Sequence, residues 1–275
     1  MIEVKELGDG PALVLVPPLN GPWQYLEPAV GTLARRFRVL TFSLSSGAEN
    51  GHSGVAADAG RIAHVLDSRG IARAIVCGVS YGGVVATHFA ASQPSRTEAL
   101  VIASSPGAGW HLKPRHEVYA RWPLVFGPAF FAESPFRVRP ELAAAFPSLR
   151  DRLKFARWQL GTVVRAPFSL PAMAARAVAL GSHDIVADCR RVTARTLVVT
   201  GEPGLDRVVP VESTATYLQF IAGAQSFVLE RTGHFGTITR PEAFADAVYE
   251  FVVAGAASLP RGALNLPKGS RMGAA

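Results

Sequence analysis

Only two cysteines, Cys77 and Cys189, occur in the 275 residues of this chain. Neither has a C-x-x-C partner or a metal-ligand spacing, so nothing supports a disulfide scaffold or a thiolate metal centre. Cys77 sits inside an apolar run and reads as a small core residue rather than a nucleophile. Uninterrupted apolar runs are short, and none approaches the ~20 residues that a membrane-spanning helix needs. The start, Met1-Ile2-Glu3-Val4-Lys5-Glu6-Leu7, alternates charged and apolar residues as a strand does. It has no basic stretch leading into an apolar one, so no secretory leader is expected and a cytoplasmic location is the default. Repeats and low-complexity tracts are also missing.

Long runs of one charge sign are absent as well. The formal net charge is +7, but residues 110–195 alone hold 14 Lys and Arg against 6 Asp and Glu, a net of +8. These basic residues are scattered among Phe, Trp, Pro and Ala, without a basic run of about five and without a nucleic-acid motif. A basic surface on an inserted subdomain is therefore expected, in preference to a nucleic-acid site. No stable membrane association is expected either, and the chain is expected to act as a monomer or homodimer.

What the chain does have is enough apolar material, 49% of its residues, to bury a sizeable core. Short, largely apolar runs at 12–16, 38–42, 74–77, 99–103, 196–200 and 226–229 fit parallel strands buried on both faces. Helical patterns over 23–36, 55–69, 84–93, 210–220 and 240–253 lie between or after them. Such alternation predicts an α/β fold with a doubly wound, mostly parallel sheet flanked by helices. The alternation lapses over 110–189, which reads as a helical cap with helical patterns at 140–160 and 172–180. The core then comprises 1–109 and 190–255, and 256–275, rich in Gly, Pro and basic residues, reads as a loosely ordered tail.

Gly78-Val79-Ser80-Tyr81-Gly82-Gly83 follows the third of these apolar runs and precedes a helical one. A serine on a tight strand-to-helix turn needs almost no side chain two places before and after it, which is what Gly78 and Gly82 provide. The turn lifts the hydroxyl above the carboxyl edge of the sheet and leaves the next amide, that of Tyr81, free for an oxyanion. Ser80 as a plain helix N-cap is the alternative.

A serine nucleophile needs a base, and the base needs an orienting acid. Of the seven histidines, His234 alone falls directly after the last strand and before the last helix, at the edge where open α/β sheets meet ligands. His88, eight residues into the elbow helix, reads as a packing or surface residue. The acid is Asp206, after the strand at 196–200, with Glu202 of the same loop as its rival. The second oxyanion amide must come from Pro17-Pro18-Leu19-Asn20-Gly21; proline has no N–H, so Leu19 is the first residue able to donate.

At this point the chain resembles the α/β-hydrolase superfamily, of the small cap-bearing serine-esterase type. The resemblance covers residues 8–253 outside the cap. It rests on Gly8-Asp9-Gly10-Pro11, the Gly78–Gly82 elbow, the acid loop from Gly201-Glu202 to Val208-Val209-Pro210, and Gly233-His234. Three departures stand out. Pro17-Pro18 replace the usual His-Gly, Ser43 stands where an Asp is usual with Ser45-Ser46-Gly47 blurring the motif that follows, and the acid loop is about two residues longer through Pro203-Gly204.

The expected activity is hydrolysis of small to medium carboxylic esters through an acyl-enzyme, with no metal or organic cofactor. Thioesterase, lactonase, carbon–carbon hydrolase and slow-turnover receptor roles are the alternatives. The serine argues against the branches of the superfamily that attack with an aspartate. Trp110, Trp122, Phe126 and Phe235 are the candidate substrate-binding residues. They and the other aromatic residues of the cap serve either to line an acyl pocket or to form the cap's own core.

Overall fold

The computed structural model describes residues 2–44 and 54–253; Ser45-Ser46-Gly47, His52 and the expected tail at 256–275 lie outside the described residues. Its strands are β1 (Val4–Leu7), β2 (Ala12–Val16), β3 (Arg38–Phe42), β4 (Ala74–Val79), β5 (Thr97–Ala103), β6 (Arg195–Thr200) and β7 (Gln225–Val228). They form one sheet in the order β1-β3-β2-β4-β5-β6-β7, with β1 antiparallel to β3 and every other pair parallel.

Side-chain alternation builds a core on each face of this sheet. Leu13, Leu15, Ile75, Cys77, Val101 and Val199 point to one face, packing with Leu33, Phe244, Val248 and Phe251 of α1 (Glu27–Leu33) and α13 (Pro241–Val253). Val14, Val16, Val76, Leu100, Ile102 and Val198 point to the other, packing with α2 (Val55–Ser68) and α3 (Tyr81–Ser92). Each fully buried Val, Leu or Ile contributes about 1.5–3 kcal/mol, so strand runs that are apolar at consecutive positions are stable only with helices on both sides.

Between β5 and β6 the chain leaves the sheet for α4 (Pro114–Arg121), α5 (Pro123–Ala132), α6 (Ser134–Ala145), α7 (Leu149–Arg165) and α8 (Leu170–Gly181). It returns earlier than the boundary at 190 expected from sequence. Helix α9 (Ile185–Arg191) already packs on α3, with Ile185 and Cys189 buried in the core although their neighbours are charged. Both cysteines are free and buried.

Three expected helices are divided. The pattern at 140–160 breaks at Phe146-Pro147-Ser148, where proline cannot continue α6 into α7. The pattern at 23–36 becomes a 3-10 turn, Trp23–Leu26, followed by α1, with Pro28 in its first turn. The pattern at 210–220 becomes α10 (Val211–Ala215) and α11 (Tyr217–Phe220), because Ser213 and Thr216 turn their hydroxyls to the Gly107 and Ala108 amides after β5. The last helical segments, α12 (Gly236–Thr239) and α13, follow β7.

Candidate active site

Ser80 links β4 to α3 with φ 56° and ψ −123°, left-handed backbone that a non-glycine residue adopts only under constraint. The constraints are close contacts. A Cβ on Gly78 would stand 2.1 Å from the Gly82 carbonyl oxygen, and one on Gly82 would stand 2.4 Å from that of Val16. The Ser80 amide donates to the Ala103 carbonyl at 2.8 Å, and Ser105 Oγ donates to the Ser80 carbonyl at 2.8 Å. The end of β5 therefore buttresses the turn.

The strand order changes direction between β2 and β4, and the loops after β2, β4, β6 and β7 meet at this edge. Glycine again lets two of them touch. A Cβ on Gly233 would lie 2.5 Å from the Leu205 carbonyl oxygen, and one on Gly201 would lie 2.5 Å from that of Thr232. The two extra residues of the acid loop are absorbed by a turn closed by the Leu205 amide on the Glu202 carbonyl, with Gly204 at φ +84°.

These contacts bring three side chains into line. His234 Nε2 lies 3.2 Å from Ser80 Oγ, and His234 Nδ1 lies 3.1 Å from Asp206 Oδ2. Asp206 is buried, and its Oδ1 accepts the Val208 and Val209 amides at 2.9 and 2.8 Å, leaving Oδ2 for the imidazole. Glu202 is occupied elsewhere, accepting the Arg231 amide at 2.7 Å. Burial alone would lower the His234 pKa, but the charge and hydrogen bond of Asp206, with the charge of Glu141, hold it above the usual histidine value.

Tyr81 follows Ser80 within the elbow, and Leu19 lies in the loop after β2. Among the described residues, neither amide donates to a turn, loop or cap carbonyl. Sequence reasoning missed the network behind them. The Tyr81 hydroxyl donates to Asp58 Oδ2 at 2.8 Å, while Arg176 of α8 donates to the Leu19 carbonyl at 2.8 Å and lies 3.8 Å from the same Asp58 oxygen. Burial raises the Asp58 pKa, opposed by the Tyr81 hydrogen bond and the charges of Arg176 and Arg61. Asp58 and Arg176 are ordinary residues in their local sequence and meet only in three dimensions, as Ser105 meets the elbow.

Above Ser80 and Tyr81 opens a cavity of about 800 Å³ beneath the cap, lined mainly by apolar side chains. Trp110 lines it; Trp122, Phe126 and Phe235 do not. The cavity face of α5 carries Pro123, Gly127, Phe130 and Phe131, one helical stripe, and Trp122 and Phe126 fall outside it and are exposed. Phe235 instead sets its ring edge-on to His234, with centroids 5.8 Å apart. Tyr119 joins the lining, whereas Phe155 and Trp158 pack on the core behind α1. Lys113, Arg115, Arg137 and Arg207 also line the cavity, with no Asp or Glu among the described lining residues.

His88 is neither loose surface nor simple packing. His88 Nδ1 and His183 Nε2 meet Asp188 Oδ2 at 2.9 and 2.7 Å, and Arg191 donates to Oδ1. The three ligand atoms lie within 4.8 Å of one another. At these distances they form a hydrogen-bonded junction between α3 and α9 that a divalent ion would have to displace.

The model of the alpha/beta hydrolase family matches residues 13–247. The chain belongs to this family. Among curated proteins, this hydrolase is 27% identical to 2-hydroxy-6-oxo-2,4-heptadienoate hydrolase of Pseudomonas putida, over 91% of this chain and 92% of the relative. It is 28% identical to pimeloyl-[acyl-carrier protein] methyl ester esterase of Vibrio campbellii, over 90% and 96%. The solved enol-lactonase of Burkholderia xenovorans superposes with a TM-score of 0.72 over 91% of this chain and 96% of that one, at 21% identity. That last likeness concerns the fold.

Proposed function

We propose that this hydrolase cleaves small to medium carboxylic esters through an acyl-enzyme formed on Ser80. The observation that carries the reading is the unbroken line from Ser80 Oγ through His234 to Asp206, at 3.2 and 3.1 Å, with Ser80 on the floor of the cavity. His234 Nε2 takes the Ser80 proton as Oγ attacks the carbonyl carbon, and Asp206 holds the resulting imidazolium. The Leu19 and Tyr81 amides receive the oxyanion. Collapse expels the alkoxide, which takes the proton from His234, and water then frees the acid by the same steps. None of these steps calls for a metal or organic cofactor. The apolar walls suit an acyl chain, and the lining cations suit a substrate carrying a carboxylate at its far end.

Carbon–carbon or enol-lactone hydrolysis is the second reading, favoured by the names of the dienoate hydrolases that the chain resembles and by the same cationic lining. The deciding experiment measures turnover of p-nitrophenyl esters, carboxylate-bearing methyl esters, an enol-lactone and a 2-hydroxy-6-oxo-dienoate, with Ser80→Ala as control. Fastest Ser80-dependent turnover on the esters supports the first reading. Turnover confined to the dienoate or the lactone replaces it with the second.

A further inference from the structure

Glu141 lies in α6, in the most basic third of the chain, and is only 1% exposed. Its carboxyl meets the histidine loop. Oε1 accepts the Phe235 amide at 2.7 Å. The backbone N–H directly after His234 thus points at a side chain from the cap. Two further links hold the end of α6 on the same loop: Arg231 Nε donates to the Ala144 carbonyl at 2.9 Å, and Arg240 Nη2 to the Ala145 carbonyl at 3.2 Å. These are terminal carbonyls with no partner inside the helix, and the arginines satisfy them.

We propose that Glu141 is a positioning residue for His234, through which the docked cap helix α6 sets the imidazole against Ser80. The proposal deepens the hydrolase reading and rests on it for the role of His234. Without the carboxyl, the Phe235 amide is left unpaired in the loop that carries the base, and the loop must shift to recover it. A small shift matters, because the 3.2 Å contact between His234 Nε2 and Ser80 Oγ is the path of the transferred proton.

The charge of Glu141 acts on the imidazole as well. The groups facing it are His234 and Asp206 from the two loops, with Arg231 and Arg240 turned to the neighbouring carbonyls. On its own helix, Arg137 is turned to the Phe130 carbonyl and Ser134. Burial pushes the Glu141 carboxyl up to about 7, against the lowering effect of the nearby backbone amides and the His234 charge. When ionised, it is a second negative charge behind the imidazolium, additional to Asp206.

The test titrates the His234 imidazole by NMR in the full chain, for wild type, Glu141→Gln and Glu141→Ala, and follows ester hydrolysis against pH. Glu141→Ala is expected to lower kcat by about 10- to 100-fold with KM nearly unchanged. Glu141→Gln, whose amide oxygen still accepts the Phe235 N–H, should restore most of that loss. In both variants His234 should titrate at lower pH than in wild type, and the acidic limb of kcat/KM should follow. A folded Glu141→Ala protein with wild-type kcat and unmoved His234 titration overturns the proposal. So does a lower Tm with no movement of the titration in either variant, which marks a purely structural role. Should Glu141→Ala fail to fold, Glu141→Gln alone decides through the titration. If wild type hydrolyses no ester, the ester reading fails, and the titration still decides whether Glu141 acts on His234.

Discussion

Asp206 divides its two oxygens between two tasks: Oδ1 accepts the Val208 and Val209 amides, and Oδ2 lies 3.1 Å from His234 Nδ1. Asp206→Asn keeps one acceptor but loses the charge that holds the imidazolium and fixes its tautomer. We expect kcat to fall by about 10³–10⁴-fold with stability little changed. Asp206→Ala should add a loss of about 1–3 kcal/mol, because the two amides are left unpaired. Glu202→Gln should leave kcat within about threefold, since Glu202 holds the Arg231 amide and not the imidazole. Steady-state kinetics and urea unfolding of the three variants check the division.

Gly78 and Gly31 make a matched pair for the backbone of the fold. A Cβ on Gly78 would collide with the Gly82 carbonyl at 2.1 Å, whereas one on Gly31, exposed within α1, would meet nothing within 4 Å. Gly78→Ala should therefore cost about 3 kcal/mol or more, or prevent folding. Gly31→Ala should stabilise the protein by about 0.5–1 kcal/mol. Chemical denaturation of both variants reads the contrast.

Asp188 and Glu141 should give opposite pH signatures. Burial pushes the Asp188 carboxyl up, but hydrogen bonds from His183, His88 and Arg191 outweigh it and hold the pKa well below 3.8. Its stabilising contribution is therefore complete above about pH 4 and is lost as pH falls below that. The Glu141 pKa is raised from 4.5 to about 7, so its contribution is complete below 4.5 and is lost as pH rises through about 7. Unfolding free energies measured across this range should lose part of their acid-side fall in Asp188→Asn and part of their decline between pH 4.5 and 7 in Glu141→Gln.

Most of the sheet was legible because burial on both faces leaves a local signature: strands such as Ala12–Val16 and Ala74–Val79 are apolar at nearly every position. Ser80 and His234 were legible for a related reason, since glycines at fixed spacing and a place directly after a strand are local facts. Asp206 was separable from Glu202 only by its rank in the loop, and the geometry brings Asp206 to the imidazole. Glu141 was not legible. In Arg137-Val138-Arg139-Pro140-Glu141 it reads as one charge among several on a solvated helix, and only docking of α6 on the histidine loop buries it. Trp122 and Phe126 were candidates by type, but their side of α5 depended on a helical phase that Pro123 and Pro128 obscure. His88, His183 and Asp188 escaped because α3 and α9 meet only in the folded chain.

The central claim is that Ser80 is the attacking group, and covalent labelling tests it most directly. Wild-type protein treated with an organophosphate should gain a single adduct, mapped by mass spectrometry to the peptide containing Ser80, and lose ester turnover in step. Ser80→Ala should take no label and hydrolyse p-nitrophenyl esters at least about 10⁴-fold more slowly. A Ser80→Ala protein that keeps most of the labelling or most of the hydrolysis would contradict the account.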